Sequence, residues 1–128
     1  MNKLYLPNFL KWYKIIKLED ALKNLFPYKD ISLKTGDTVQ IEKCFYYIKE
    51  GQVAGTFGNK VPENFECSNN EIFGLRQILD SNFEIKTLLA KKDCELLSFQ
   101  DENFIKMMES TDKNIAVFLK SLIQHGTY

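Results

Sequence analysis

Apolar residues recur at every third or fourth position at both ends of this chain and at every second position in between. Near the start, Phe9, Trp12, Tyr13 and Ile16 fall on one helical stripe after Pro7, which a first helical turn accepts. Leu18, Ala21, Leu22, Leu25 and Phe26 repeat the spacing, and Pro27 stops that second helix. From Asp30 the period is two. Ile31 and Leu33, then Val39 and Ile41, alternate with polar residues around the turn Lys34-Thr35-Gly36-Asp37. Phe45-Tyr46-Tyr47-Ile48 is rich in strand formers, Lys49-Glu50-Gly51 turns, and Gln52-Val53-Ala54 resumes. Gly55 and Gly58-Asn59 mark a hairpin near Thr56-Phe57; Val61 to Cys67 is less regular, with Pro62 at an edge or a strand start. Ser68-Asn69-Asn70 turns again, and Asn tolerates left-handed backbone. Ile85, Thr87 and Leu89 alternate, followed by Leu96, Leu97 and Phe99. About eight short strands with frequent turns predict a closed or double-sheet β architecture. Helical spacing then returns. Asp101 is placed to cap a helix carrying Phe104, Ile105 and Met108, and Ser110-Thr111 interrupts it. Ile115, Phe118, Leu119, Leu122 and Ile123 follow as a 3-4 stripe that runs to Gly126.

Within the β region one stretch reads differently. Ile72, Leu75, Ile78 and Leu79 form one face of a short helix over 71–79, entered through Phe73 and Gly74. Glycine at that entry permits unusual dihedrals and close approach of backbone or ligand. A helix start also presents unpaired N–H groups to an anion. The plainer reading, a turn that only glycine can make, is the one these residues favour by themselves.

At 128 residues the chain has the size of one domain with a real core, and 45% hydrophobic against 27% charged residues makes it a globular type. The formal net charge of zero argues against nucleic-acid affinity spread over the surface. The charge is uneven, however. Lys3, Lys11, Lys14 and Lys17 give residues 1–17 a charge of +4 with no acid, and the remaining 13 basic residues face all 17 acidic ones for −4. A basic, aromatic first helix suits either packing on its own domain with solvated lysines or contact with a membrane or partner. No apolar run reaches the length of a membrane span and no signal peptide is visible, so a cytoplasmic protein is expected. Cys44, Cys67 and Cys94 are widely spaced and form no CxxC or Cys/His cluster; reduced thiols without metal or cofactor are expected.

The order of helix, small β-roll with an internal short helix, and two further helices resembles the cyclic-nucleotide-binding domain, the sensory half of the catabolite-activator and FNR (Crp/Fnr) regulators. The resemblance covers residues 18–123 and rests on ordered landmarks. Leu33-Lys34-Thr35-Gly36-Asp37-Thr38-Val39 looks like the family's opening turn. Tyr46-Tyr47-Ile48-Lys49-Glu50-Gly51-Gln52-Val53 looks like its next hairpin. Ile72-Phe73-Gly74 looks like the start of the phosphate-binding cassette. Thr87-Leu88-Leu89-Ala90 with Cys94-Glu95-Leu96-Leu97 resembles the last two strands, and Asp101-Glu102-Asn103-Phe104 the helix after the roll. The resemblance implies a mainly β fold with flanking α: a double-stranded β-helix (a jelly-roll-like β-roll) over 30–100, N-terminal helices within 1–29 and C-terminal helices within 101–128. It also implies candidate ligand-binding residues in the cassette, namely Phe73, Gly74, Leu75, Arg76, Glu84, Lys86 and Thr87.

Departures from the family pattern set the functional expectation. Family members that bind cyclic AMP or GMP carry a glutamate after the cassette glycine for the ribose hydroxyl; here Leu75 stands there. They carry an arginine for the cyclic phosphate about three residues before the Thr-containing strand; here Glu84 stands nearest. Like charges about 4 Å apart repel by roughly 4 kcal/mol at an effective dielectric of about 20. Asn70 replaces a usual glycine in a turn that tolerates it. Arg76 and Lys86 are nearby cations, either of them a substitute anion contact; Arg76 also reads as an ordinary polar-face residue of a short helix. On this reading the chain is a non-catalytic regulatory or sensor domain of a transcriptional regulator, with degenerate nucleotide recognition. The alternative is a small-molecule sensor that still binds a cyclic nucleotide or another anion in the roll. A cupin-type enzyme is set aside, because such rolls cluster histidines for metal and this chain has only His125. The double change Leu75→Glu with Glu84→Arg is expected to improve nucleotide binding more than either change alone, because the ribose and phosphate contacts act on one ligand. The family's DNA-reading helix-turn-helix is not in the sequence, so no direct nucleic-acid binding is expected. In the family the last helix pairs with its twin, which implies a weak homodimer through Ile115, Phe118, Leu119, Leu122 and Ile123.

Overall fold

The computed structural model describes residues 18–39, 42–58, 60–79, 83–109 and 113–125. The basic stretch 1–17, Ile41, Asn59, the break at 110–112 and Gly126 lie outside them. The described chain is mainly β, with two antiparallel sheets flanked by helices. Its elements in order are α1 (Leu18–Leu25), β1 (Lys29–Leu33), β2 (Cys44–Glu50), β3 (Gln52–Phe57), β4 (Glu63–Ser68) and β5 (Ile72–Phe73). These are followed by α2 (Leu75–Leu79), β6 (Ile85–Ala90), β7 (Cys94–Gln100), α3 (Asp101–Met108) and α4 (Lys113–His125). One sheet has the order β1-β7-β2-β5 and the other β4-β3-β6. Among the described residues there are seven strands where about eight were expected; the segment around Val39 meets β6 through a bridge from Thr38 to Leu89.

Side-chain alternation sorts the apolar residues into two cores. Inward-facing Tyr46, Ile48, Val53, Phe57, Phe65, Phe73 and Leu96 fill the space between the sheets. The other face of the four-stranded sheet turns Phe45, Tyr47, Leu97 and Phe99 against Leu22, Phe26, Phe104, Phe118 and Leu119 of the helices. Phe45 and Phe99 stack at 4.8 Å in this outer core, with Phe26 edge-on to both.

The Lys49-Glu50-Gly51 turn is a corner rather than the hairpin the sequence implies. β2 belongs to the four-stranded sheet and β3 to the three-stranded one, so the chain changes sheets at Gly51. Gly51 has φ +116°, and a Cβ there would meet Cys94 Sγ at 2.6 Å. The turn at 34–37 is tied down by side-chain hydrogen bonds. Lys34 N–H donates to Asp37 (2.8 Å), and Thr35 donates through both N–H and hydroxyl to Asp93 (2.8 and 3.0 Å). These bonds, the backbone one first, hold the Asp93 carboxyl below its ordinary pKa. At α3 the N-cap position belongs to Gln100, which makes no side-chain cap hydrogen bond; Asp101 is already the first helical residue.

Candidate functional site

The cassette begins with a two-residue strand. β5 pairs with β2 through Tyr46–Phe73 and Tyr47–Ile72, so residues 72–73 are strand and the helix starts at Leu75, not at 71. Asn70 sits at φ 67°, where its N–H donates to Ile48 O at 2.7 Å and its side chain accepts from the Tyr47 hydroxyl at 2.8 Å. Gly74 has φ +99°, and its backbone lies against β2: a Cβ there would come within 2.6 Å of Cys44 O and 3.0 Å of Phe45 Cα. The plainer reading of Gly74, a conformation and a close approach open only to glycine, accounts for it.

This geometry separates residues that the sequence grouped. Leu75 is 2% exposed and lies in the outer core with Phe45, Phe104 and Leu119, on the helix side of the sheet. Arg76, the next residue, lies toward the roll, its guanidinium carbon 3.9 Å from the centre of the Phe83 ring and 5.9 Å from that of Phe57. Behind the arginine the rings are continuous. Phe83 and Phe57 are 5.9 Å apart, Phe57 and Phe65 5.8 Å, Phe65 and Phe73 6.0 Å, and Phe73 stacks on Tyr46 at 4.8 Å. Phe73 is therefore an interior packing residue. Burial, with smaller contributions from Cys44 and Glu42, pushes the Tyr46 hydroxyl above its ordinary pKa.

At the start of β6, Lys86 donates to Glu84 at 2.8 Å; both are exposed, and this bond holds the Glu84 carboxyl below its ordinary pKa. Lys86 is thus occupied by the acid beside it. Thr87 shares a 2.9 Å hydrogen bond with Thr56 on the neighbouring strand. The structure therefore assembles Phe73, Arg76, Phe57, Phe65 and Phe83 as one aromatic array capped by a cation, sets Glu84 just before β6 with Lys86 and Thr87 on it, and sends Leu75 elsewhere.

Sequence reading missed Gln77 altogether. Its amide nitrogen donates to Cys44 O (2.9 Å) and Glu42 O (3.3 Å), and its oxygen accepts from Ile85 N–H (3.1 Å). One side chain thus joins α2, the start of β2 and the start of β6. A glutamine on a short amphipathic helix reads as a solvated residue, so no local signal marks this role. The array had a faint signal in Phe57, Phe65 and Phe73, spaced eight apart, but nothing marked Phe83. The stripe on α4 is also divided: Phe118 and Leu119 are buried in their own chain, Ile115 and Leu122 are half-buried against the same core, and the Ile123 side chain lies outside the described residues. The three cysteines are buried and form no disulfide among the described residues, and burial pushes the Cys67 thiol up to about 12.

No family model matches the chain, and no curated protein does. Solved structures do. The Thermus thermophilus catabolite activator protein superposes with a TM-score of 0.62 at 17% identity, over 88% of this chain and 55% of that one. The sensor domain of the transcriptional regulator DNR from Pseudomonas aeruginosa gives 0.60 at 15% identity, over 76% and 69%. An EAL enzyme in its cAMP-bound form gives 0.51 at 17% identity, over 75% and 28%. The chain spans about half the length of the catabolite activator protein it matches. Among the described residues, no helix is long and apolar enough to cross a membrane. In its two antiparallel sheets, its helices and its inserted cassette, the chain has the cyclic-nucleotide-binding β-roll fold of the catabolite-activator and Crp/Fnr sensory domains.

Proposed function

We propose that this chain is a non-catalytic sensor domain of a transcriptional regulator that does not take cyclic AMP or cyclic GMP. The observation that carries the reading is the aromatic array. Phe57, Phe65, Phe73 and Phe83 stand ring against ring beside the cassette, and the Arg76 guanidinium sits 3.9 Å from the centre of the Phe83 ring. Two further features support it. Glu84 adds a carboxylate near the position where family binders carry an arginine, and Leu75 in the outer core offers nothing to a ribose. The domain would work through protein contacts or through a different effector. Isothermal titration of the whole chain with cyclic AMP and with cyclic GMP is expected to show no binding. Micromolar affinity for either would overturn the reading.

The proposal includes a weak homodimer through α4. The chain keeps Phe118 and Leu119 for itself, which leaves a narrow face: Val117, 37% exposed, with half-buried Ile115, Ala116 and Leu122 beside it. Sedimentation across a concentration series should show monomer and dimer in exchange, with Val117→Lys shifting the balance to monomer. A strict monomer at high protein concentration counts against the seam.

A further inference from the structure

The inner face of the four-stranded sheet changes character at the end where β1 begins and β7 ends. Leu97 and Phe99 belong to the outer core, so alternation turns Ser98 and Gln100 to the other face, in line with inward-facing Leu96. In register, Ser98 stands opposite Lys29 of β1 on one side and Tyr46 of β2 on the other; Gln100 stands opposite Cys44. Lys29, Cys44, Ser98 and Gln100, with Pro27, Tyr28 and Glu42, line a groove of about 160 Å³. It lies apart from Arg76 and Phe83, none of which line it.

Three features of this groove point to a ligand. Ser98 is 8% exposed and is the buried polar residue of the described chain, yet its hydroxyl has no hydrogen-bond partner among the described residues. A buried hydroxyl without a partner is destabilising, so a partner from outside the chain is the simplest explanation. Second, Lys29 and Glu42 bring opposite charges to one groove, and neither is in an ion pair among the described residues. The Glu42 carboxylate accepts a long contact from the Cys44 thiol, 3.9 Å. Third, the wall is held in place: Gln77 bonds the backbone oxygens of both Glu42 and Cys44. A ligand complementary to this groove carries both a cation and an anion. A cavity of about 150 Å³ holds a molecule the size of benzene, about six heavy atoms.

We propose that this groove binds a small free α-amino acid, with its carboxylate on Lys29 and the Ser98 hydroxyl, its ammonium on Glu42, and its side chain against Pro27 and the Tyr28 ring. The proposal is independent of whether the cassette binds a nucleotide. The test titrates the whole chain by calorimetry with L-alanine, L-serine and glycine, and separately with acetate and methylammonium as the two half-ligands. At least one amino acid is expected to bind with a Kd in the millimolar range or below, and each half-ligand about tenfold more weakly. Ser98→Ala should weaken amino-acid binding about tenfold without lowering the thermal midpoint, since it removes a hydroxyl the fold does not use. Glu42→Gln and Lys29→Met, both exposed positions, should each weaken it about tenfold as well. Absence of binding by all three amino acids up to about 10 mM would mean that the groove holds only water, and would overturn the proposal. So would acetate binding as tightly as alanine, or affinity unchanged in Ser98→Ala.

Discussion

Leu75→Glu is expected to unfold this protein or bring it to the edge of unfolding, instead of restoring a ribose contact. Leu75 is among the most deeply buried side chains of the outer core, packed with Phe45, Phe104 and Leu119 on the far side of the sheet from the aromatic array. Among the described residues a carboxylate there meets an apolar layer, in which it must either stay charged or hold its proton. Either course costs several kcal/mol, against a typical domain stability of about 5–15 kcal/mol. The sign of the pH dependence follows. Burial raises the folded-state pKa of such a glutamate above its unfolded value of about 4. The variant is then least unstable at low pH, where the group is protonated in both states, and loses stability as pH rises through the unfolded pKa. Urea unfolding at pH 5 and pH 8 reads this directly, and Leu75→Met, which keeps volume and polarity, should cost less than about 1.5 kcal/mol. For the same reason the double change Leu75→Glu with Glu84→Arg fails as a repair. A Leu75→Glu variant as stable as the parent would mean that the cassette turns this residue toward the roll.

Gly74→Ala is expected to cost about 3 kcal/mol or more and to lower the melting midpoint by roughly 10 °C. Two costs combine. An alanine at φ +99° is strained by itself, and its Cβ would meet the β2 backbone at Cys44 O and Phe45 Cα. Backbone atoms in a paired strand cannot step aside as a flexible side chain can, so β5 must come away from β2. Gly36→Ala separates the two costs. Gly36 has φ +92° with nothing within 4 Å of an added Cβ, so only the conformational part, about 1 kcal/mol, should appear. Equal losses at the two positions would show that the approach of the cassette to β2 is looser than the geometry described.

The two sheets and the helices α1, α3 and α4 were legible in the sequence because periods of two and of three to four leave a direct mark on which residues are apolar. What a period does not carry is the partner of a strand. Lys49-Glu50-Gly51 looks the same whether the chain returns along the same sheet or crosses to the other, and it crosses. Ile72 lies three residues before Leu75 and so joined a helical pattern, although the positive φ of Gly74 separates a strand residue from a helical one. Leu75 marks the limit of reading a site from a resemblance. Its place in the motif was identified, but the direction of its side chain is set by the pairing of β5 with β2, one link further along. Arg76 was noted as a cation, but its stacking depends on Phe83, which no pattern singled out. Gln77 and Ser98 were invisible for a shared reason: a polar residue that bonds distant backbone, or lines a groove, has the same sequence signature as one in water.

Proton nuclear Overhauser contacts between the Arg76 side chain and the Phe83 ring, recorded on the whole chain with and without millimolar cyclic AMP, test the filled roll most directly. The expected result is that these contacts, and those between the rings of Phe57 and Phe83, are present without nucleotide and unchanged with it. Loss of the arginine–phenylalanine contacts, with new ones from ribose or adenine protons to these rings, would contradict it.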